Sequence, residues 1–175
     1  MTRDGQRVEV FANIGSVNDA RGAVQNGAEG VGLLRTEFLF LERATPPSED
    51  EQAAAYREAV DAFGGDPVTI RLLDIGGDKP IPYLPMPAED NPFLGVRALR
   101  LAADRPEVFV TQLRACYRAA VAGPVKVMAP MVADAGDASL LIDLAARARE
   151  GLRADGVAFA DVDLGVMLEI PSAIL

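Results

Sequence analysis

The 175-residue chain is half hydrophobic and a quarter charged, the composition of a soluble globular domain, or part of one, able to bury a core. Its 26 acidic residues outnumber 17 basic ones, and the net charge of -9 repels nucleic-acid backbones and anionic membrane surfaces, so an anionic ligand must meet a local cationic site. With no histidine, the chain excludes a phosphohistidine, an imidazole base and a histidine metal ligand among its own residues.

From the N-terminus, MTRDGQRVEV carries charges but no apolar segment leading to a small-residue cleavage site, and no later apolar run reaches bilayer length. A cytoplasmic protein without membrane insertion is expected. VEVFANI (8–14) reads as a first strand, and Ser16 begins a helix that Asn26-Gly27 ends. GVGLL (30–34) follows as a strand. Ser48-x-x-Glu51 then forms a capping box for a helix running to about Phe63, stopped by Gly64-Gly65. VTIRL (68–72) is the third strand. A Pro-rich loop (74–92) precedes helices at 95–103 and 106–122, closed by Gly123-Pro124. VKVMAP (125–130), a helix over roughly 137–152, the strand LGVMLEI (164–170) and the start of a fifth helix in PSAIL complete the series. The lone Cys116, in LRACYRAA, has no intrachain disulfide partner and reads as a small buried hydrophobe in a reducing compartment.

Five strands alternating with helices, most of them apolar on both faces, imply an α/β fold with a parallel sheet covered by helices. No GxGxxG follows the first strand, and polar residues end several strands, which favours a (β/α)8 TIM-barrel type over a doubly wound sheet. A complete barrel takes roughly 250 residues, so an incomplete one is expected: residues 1–175 as a single partial domain of about five units, truncated at its C-terminal end with open sheet edges.

Three charged residues interrupt or end the apolar strands: Arg35, Arg71 and Glu169. Burying one such charge unpaired costs several kcal/mol, so each needs a counter-ion, a ligand or water. A shared site would satisfy all three, with guanidiniums clamping phosphate and carboxylate oxygens and the carboxylate holding a divalent cation. Structural ion pairs of Arg35 with Glu37, Arg71 with Asp74 and Glu169 with a lysine are the alternative. DIGGDK (74–79) sets two glycines between acids and Lys79 directly after a strand, either for close backbone approach to an anion or as an ordinary tight turn. In NPFLGVRALR, Arg97 and Arg100 are spaced to share a helical face, with Arg100 read as solvated, and Lys126 starts its strand at the rim opposite the site.

NGAEGVGLLRTEFLFL (26–41), IRLLDIGGDKPIPYL (70–84), NPFLGVRALR (91–100) and GVMLEIPSA (165–173) resemble, in order and spacing, enzyme I of the bacterial sugar phosphotransferase system, a phosphoenolpyruvate-protein phosphotransferase. The first motif is shared in variant form with pyruvate phosphate dikinase and phosphoenolpyruvate synthase, whereas DIGGDK marks enzyme I and the fused multiphosphoryl transfer proteins. The resemblance covers essentially the whole chain and implies the N-terminal portion of a phosphoenolpyruvate/pyruvate-superfamily barrel. It assigns Arg35 and Arg71 to the phosphate of phosphoenolpyruvate (PEP), Arg97 to a supporting role, Glu169 to Mg2+, and Asp74, Gly76, Gly77, Asp78 and Lys79 to a supporting loop. The family passes the phosphoryl group to a histidine on a separate domain and then to the carrier protein HPr, and it dimerises through this domain. The resemblance therefore implies a PEP-binding part with no catalytic residue of its own and no independent turnover, because the family's second metal ligand, a further arginine and its proton-donating cysteine have no counterpart here. Cys116 is not that cysteine. A metal-dependent aldolase or lyase of the same superfamily, and a non-catalytic truncated product or dimerisation module, are the competing readings.

Overall fold

The computed structural model describes residues 1–41, 43–76, 81–86 and 89–175. Its elements are β1 (Ala12–Ile14), α1 (Val17–Gln25), β2 (Val31–Arg35), α2 (Glu37–Phe40), α3 (Glu49–Phe63), β3 (Val68–Arg71), α4 (Pro106–Ala119), β4 (Val125–Ala129), α5 (Ala135–Ala154) and β5 (Asp163–Val166). Short 3-10 turns lie at Ala98–Ala103 and Pro171–Ala173.

All five strands are parallel, and their order in the sheet is their order in the chain. That order decides between the two α/β architectures. A doubly wound sheet reverses its strand order at a switch point, whereas here every crossover steps in the same direction, as in a (β/α) barrel. Among the described residues β1 and β5 each pair on one side only, so the sheet stays open.

Alternation along the strands sorts the two faces. Val68 and Ile70 of β3 and Val125, Val127 and Ala129 of β4 are buried under the helices, while Lys126 between them is exposed on the other face. The helices form a continuous outer layer, α1 on α3, α3 on α4 and α4 on α5. Phe109, Leu113 and Cys116 of α4 and Leu141, Leu144 and Ala148 of α5 turn their apolar faces inward. Cys116 is fully buried, and burial raises its thiol pKa, which leaves it an inert part of the core.

The sequence signals at helix ends operate as expected. Ser16 caps α1, its hydroxyl accepting from the Asp19 N–H, and Asn26 is the C-cap. Ser48 and Glu51 form the capping box of α3, which ends at Gly64 in the left-handed conformation. Bonded by Arg43 and by Ser48, the Glu51 carboxyl is held down to about 2 from an ordinary 4.5. Because the folded pKa is depressed, the stabilisation is complete above pH 4.5 and lost as pH falls through about 2. The gap in thermal midpoint between the parent and Glu51→Gln is expected to narrow across that window; a constant gap would show that the carboxylate charge contributes nothing.

Several boundaries differ from the sequence expectation, each for a local reason. The first strand begins at Ala12 rather than Val8, since Glu29 ties down the preceding segment instead: its carboxylate accepts from the Val10 N–H at 2.9 Å and from Arg7. In place of a regular helix over 95–103 there is a 3-10 turn from Ala98, because Arg97 is extended and bridged to Gly76. The fifth strand stops at Val166, where its partner β4 runs out, and the terminal PSA forms a single 3-10 turn. A four-residue helix, α2, follows β2 where none was expected.

Candidate functional site

β2 ends on Arg35 and β3 on Arg71, and the parallel register sets these two residues side by side. The row continues to Met128 of β4 and Gly165 of β5. Residues aligned across a sheet share a face, so the two arginines stand together at the carboxyl end of the barrel-interior face, the rim where such folds build their sites.

Arg71 lies within a run of alternating charges. Its Nη2 donates to Glu37 Oε1 and lies 3.7 Å from Asp74 Oδ2, while Asp74 Oδ1 accepts from Arg97 Nε at 3.1 Å and Nη2 at 2.9 Å. Glu37, Arg71, Asp74 and Arg97 are exposed by only 3%, 9%, 6% and 4%. Four ionised groups can be buried at this depth because opposite charges alternate and charge-assisted bonds offset part of the desolvation. Even so, Glu37 Oε2 and Arg71 Nε have no hydrogen-bond partner among the described residues. The second Arg71 nitrogen, Nη1, meets the Met167 sulfur at 4.0 Å, which draws the end of β5 to the arginine.

Arg35 is different. It is exposed, its guanidinium carbon lies 5.1 Å from the centre of the Phe38 ring, and it lines a cavity of about 300 Å³ together with Gly15, Thr36, Phe38 and Tyr56. The ion pairs considered from sequence are therefore rearranged. Glu37 pairs with Arg71 instead of Arg35, and Asp74 serves both Arg71 and Arg97.

Gly76 explains how Arg97 arrives. The two residues form an antiparallel bridge so close that a Cβ on Gly76 would lie 2.1 Å from the Arg97 Cβ. The next residue, Ala98, has φ +50, and its N–H donates to Ile75 O at 3.0 Å. Gly77, Asp78 and Lys79, the rest of the expected loop, lie outside the described residues. Arg100 departs from its solvated reading: half-buried, it donates from Nη1 to Leu94 O and Gly95 O, bracing the loop before Arg97.

Glu169 lies three residues past β5, exposed, with Oε1 accepting from the Met131 N–H at 2.8 Å rather than pairing with a lysine. Met131 has φ +58, a strained conformation for a residue with a Cβ. Met131 and Ala98 are the two positive-φ non-glycine residues among those described; one donates to Glu169, the other follows Arg97. Strained backbone concentrated beside candidate site residues is the pattern expected of functional geometry. The described residues contain no group of three or more Cys, Asp or Glu positioned to hold a metal ion.

Sequence reasoning passed over the residues that hold the arginines. Thr36 Oγ1 donates to Arg71 O at 2.8 Å, and Gln112 Nε2 donates to Thr36 Oγ1 at 3.0 Å. Gln112 did leave a signal, being polar on the α4 stripe otherwise formed by Phe109, Leu113 and Cys116. Tyr56 joins the same network, and its phenol pKa is raised chiefly by burial.

A family profile described as "PEP-utilising enzyme, PEP-binding domain" matches residues 1–175. The chain is 51% identical over 175 residues to the multiphosphoryl transfer protein of Rhodobacter capsulatus, covering 100% of this chain and 21% of that protein. It is also similar to the phosphoenolpyruvate-protein phosphotransferases of Geobacillus stearothermophilus, 49% identical over 174 residues, and Staphylococcus carnosus (strain TM300), 50% identical over 176 residues. Those matches cover 99% and 98% of this chain and 30% of each relative. The chain thus spans less than a third of the length of these relatives.

Proposed function

This chain belongs to the PEP-binding domain family of PEP-utilising enzymes, and on that premise we propose that its carboxyl rim binds PEP as the substrate-holding part of a phosphoenolpyruvate-protein phosphotransferase. The observation that carries the reading is the register pairing of Arg35 with Arg71, beside an Arg97 linked to Arg71 through Asp74. Arginines that end neighbouring strands at one rim suit an anion with both phosphate and carboxylate oxygens, at about 1.5 to 3 kcal/mol per charge-assisted hydrogen bond. On a chain of net charge -9, with Glu37 and Asp74 balancing Arg71 and Arg97, the exposed Arg35 supplies the cation that an anionic substrate requires.

The same reading assigns Glu169 to Mg2+. An ion that takes one or two carboxylates and completes its shell with substrate oxygens and water suits an exposed carboxylate such as that of Glu169. When bound, the ion would neutralise charge on the transferring phosphoryl group. The chain has no histidine, so its residues hold and orient PEP while a histidine elsewhere accepts the phosphoryl group and passes it to HPr. A cytoplasmic location and a homodimer in the whole enzyme belong to the same proposal, and no helix among the described residues is long and apolar enough to cross a membrane.

Arg35 gives the cleanest test, since it is exposed and stacked on Phe38 and can be removed without leaving a buried charge. Arg35→Ala is expected to keep the parent's thermal midpoint within a degree or two, about 0.5 kcal/mol, yet to lose calorimetrically measured PEP affinity in Mg2+ at least about tenfold. Unchanged affinity in Arg35→Ala would overturn the assignment.

A further inference from the structure

The carboxyl ends of β2 and β3 are joined through a side chain that touches neither arginine side chain. Gln112 of α4 is fully buried, and its carboxamide has three directed bonds. Nε2 donates to Thr36 Oγ1 at 3.0 Å and to Tyr56 Oη at 3.0 Å, and Oε1 accepts the Leu73 N–H at 2.9 Å. Thr36 in turn donates to the Arg71 carbonyl at 2.8 Å. A closed ring results, running from Gln112 through Thr36 to Arg71 O, along the backbone to Leu73 N, and back to Gln112.

The ring's attachment points bracket the site. Thr36 separates Arg35 from Glu37, the ion-pair partner of Arg71, and Leu73 lies between Leu72, the first residue after β3, and Asp74, the partner of Arg97. Thr36 occupies the N-cap position of α2 yet makes no side-chain cap bond, its hydroxyl being given to Arg71 O. The network also has an anchor. Tyr56 Oη donates to Gln52 Oε1 at 3.3 Å, and Gln52 Nε2 donates to Pro47 O at 3.1 Å, tying the ring to the start of α3.

An apolar residue would fill this space on α4 without the cost of burying an amide, and its neighbours Phe109, Leu113 and Cys116 are apolar. A fully bonded buried amide instead fixes direction as well as distance. From this geometry we infer that Gln112 is a positioning residue that sets the spacing and aim of the Arg35 and Arg71 guanidiniums, an inference that rests on the PEP-binding reading of those two residues. Gln112 touches no substrate. It acts by holding the two strand ends in one register.

The test compares the parent with Gln112→Met, close in shape but unable to donate, and with Leu144→Ala, which removes a fully buried side chain of α5. Two quantities are read: the nitrogen-15 NMR signal of Arg71 Nε–H in the free protein, and PEP affinity in Mg2+ by calorimetry. Gln112→Met is expected to shift the Arg71 signal and weaken PEP binding at least about tenfold, while Leu144→Ala lowers the unfolding midpoint but leaves both unchanged. If Gln112→Met keeps the parental signal and affinity, or if Leu144→Ala moves them equally, Gln112 is a core residue and the inference fails. Should the parent itself not bind PEP, the functional reading fails separately, and the Arg71 signal alone decides about Gln112. If Gln112→Met does not fold, Thr36→Val, which removes one bond of the ring, is expected to shift the Arg71 signal; an unshifted signal overturns the inference.

Discussion

Arg71→Ala is expected to destabilise the protein by about 3 to 5 kcal/mol, the cost of breaking a buried pair and leaving its partner charged. Glu37 is the partner left behind, 3% exposed, with Oε2 already lacking a hydrogen bond among the described residues. Asp74 loses a counter-charge as well. Adding Glu37→Gln removes the stranded charge and should recover much of the loss in a urea titration. PEP affinity should not recover, because the guanidinium is still missing. This separation of stability from binding is the point of the double variant: recovery of both would mean that Arg71 serves only to neutralise Glu37, and recovery of neither would mean that its packing against Met167 matters more than its charge.

Gly76→Ala should be nearly as damaging although it adds one carbon. The new Cβ would fall 2.1 Å from the Arg97 Cβ and 3.0 Å from its Cα, so the contact is with backbone-anchored atoms that cannot swing away. Relief requires the bridge between residues 76 and 97 to open, which carries Arg97 off Asp74. A loss of about 3 kcal/mol, at the upper end for overpacking, is expected in denaturant titration, with PEP binding weakened at least about tenfold. Gly15→Ala makes a useful comparison, because its close neighbour is the outer edge of the exposed Phe38 ring, at 2.6 Å, which can turn aside. Equal losses in the two variants would show that the bridge is not what makes Gly76 necessary.

Much of this architecture was legible because its signals are local. Ser16, Ser48, Glu51 and Gly64 mark helix ends through bonds made within a few residues, and the alternation of short β-rich runs with amphipathic stretches already implied a parallel α/β sheet. Arg35 and Arg71 stood out because charges at the ends of apolar strands demand an explanation. What sequence could not supply was pairing across the fold. Glu37 sits two residues from Arg35 but bonds to Arg71, because β2 and β3 are neighbours and α2 turns the carboxylate back over the sheet. Strand ends were misjudged where a side chain took over from the ladder, as at Glu29, or where the partner strand ran out, as at Val166. The strain at Met131 and Ala98 had no sequence signature, since neither is a residue type that favours positive φ.

The sequential strand order also places the candidate residues unevenly across the sheet. β3 has a bonded neighbour on both sides and lies under the outer helices, whereas β5 has one neighbour and exposed residues along most of its length. Local opening draws on regions with few buried apolar contacts and solvent-exposed backbone bonds, so β3, buried and paired on both sides, is expected to exchange its amide hydrogens late. The strand that ends on Arg71 is therefore expected to be among the last parts to loosen.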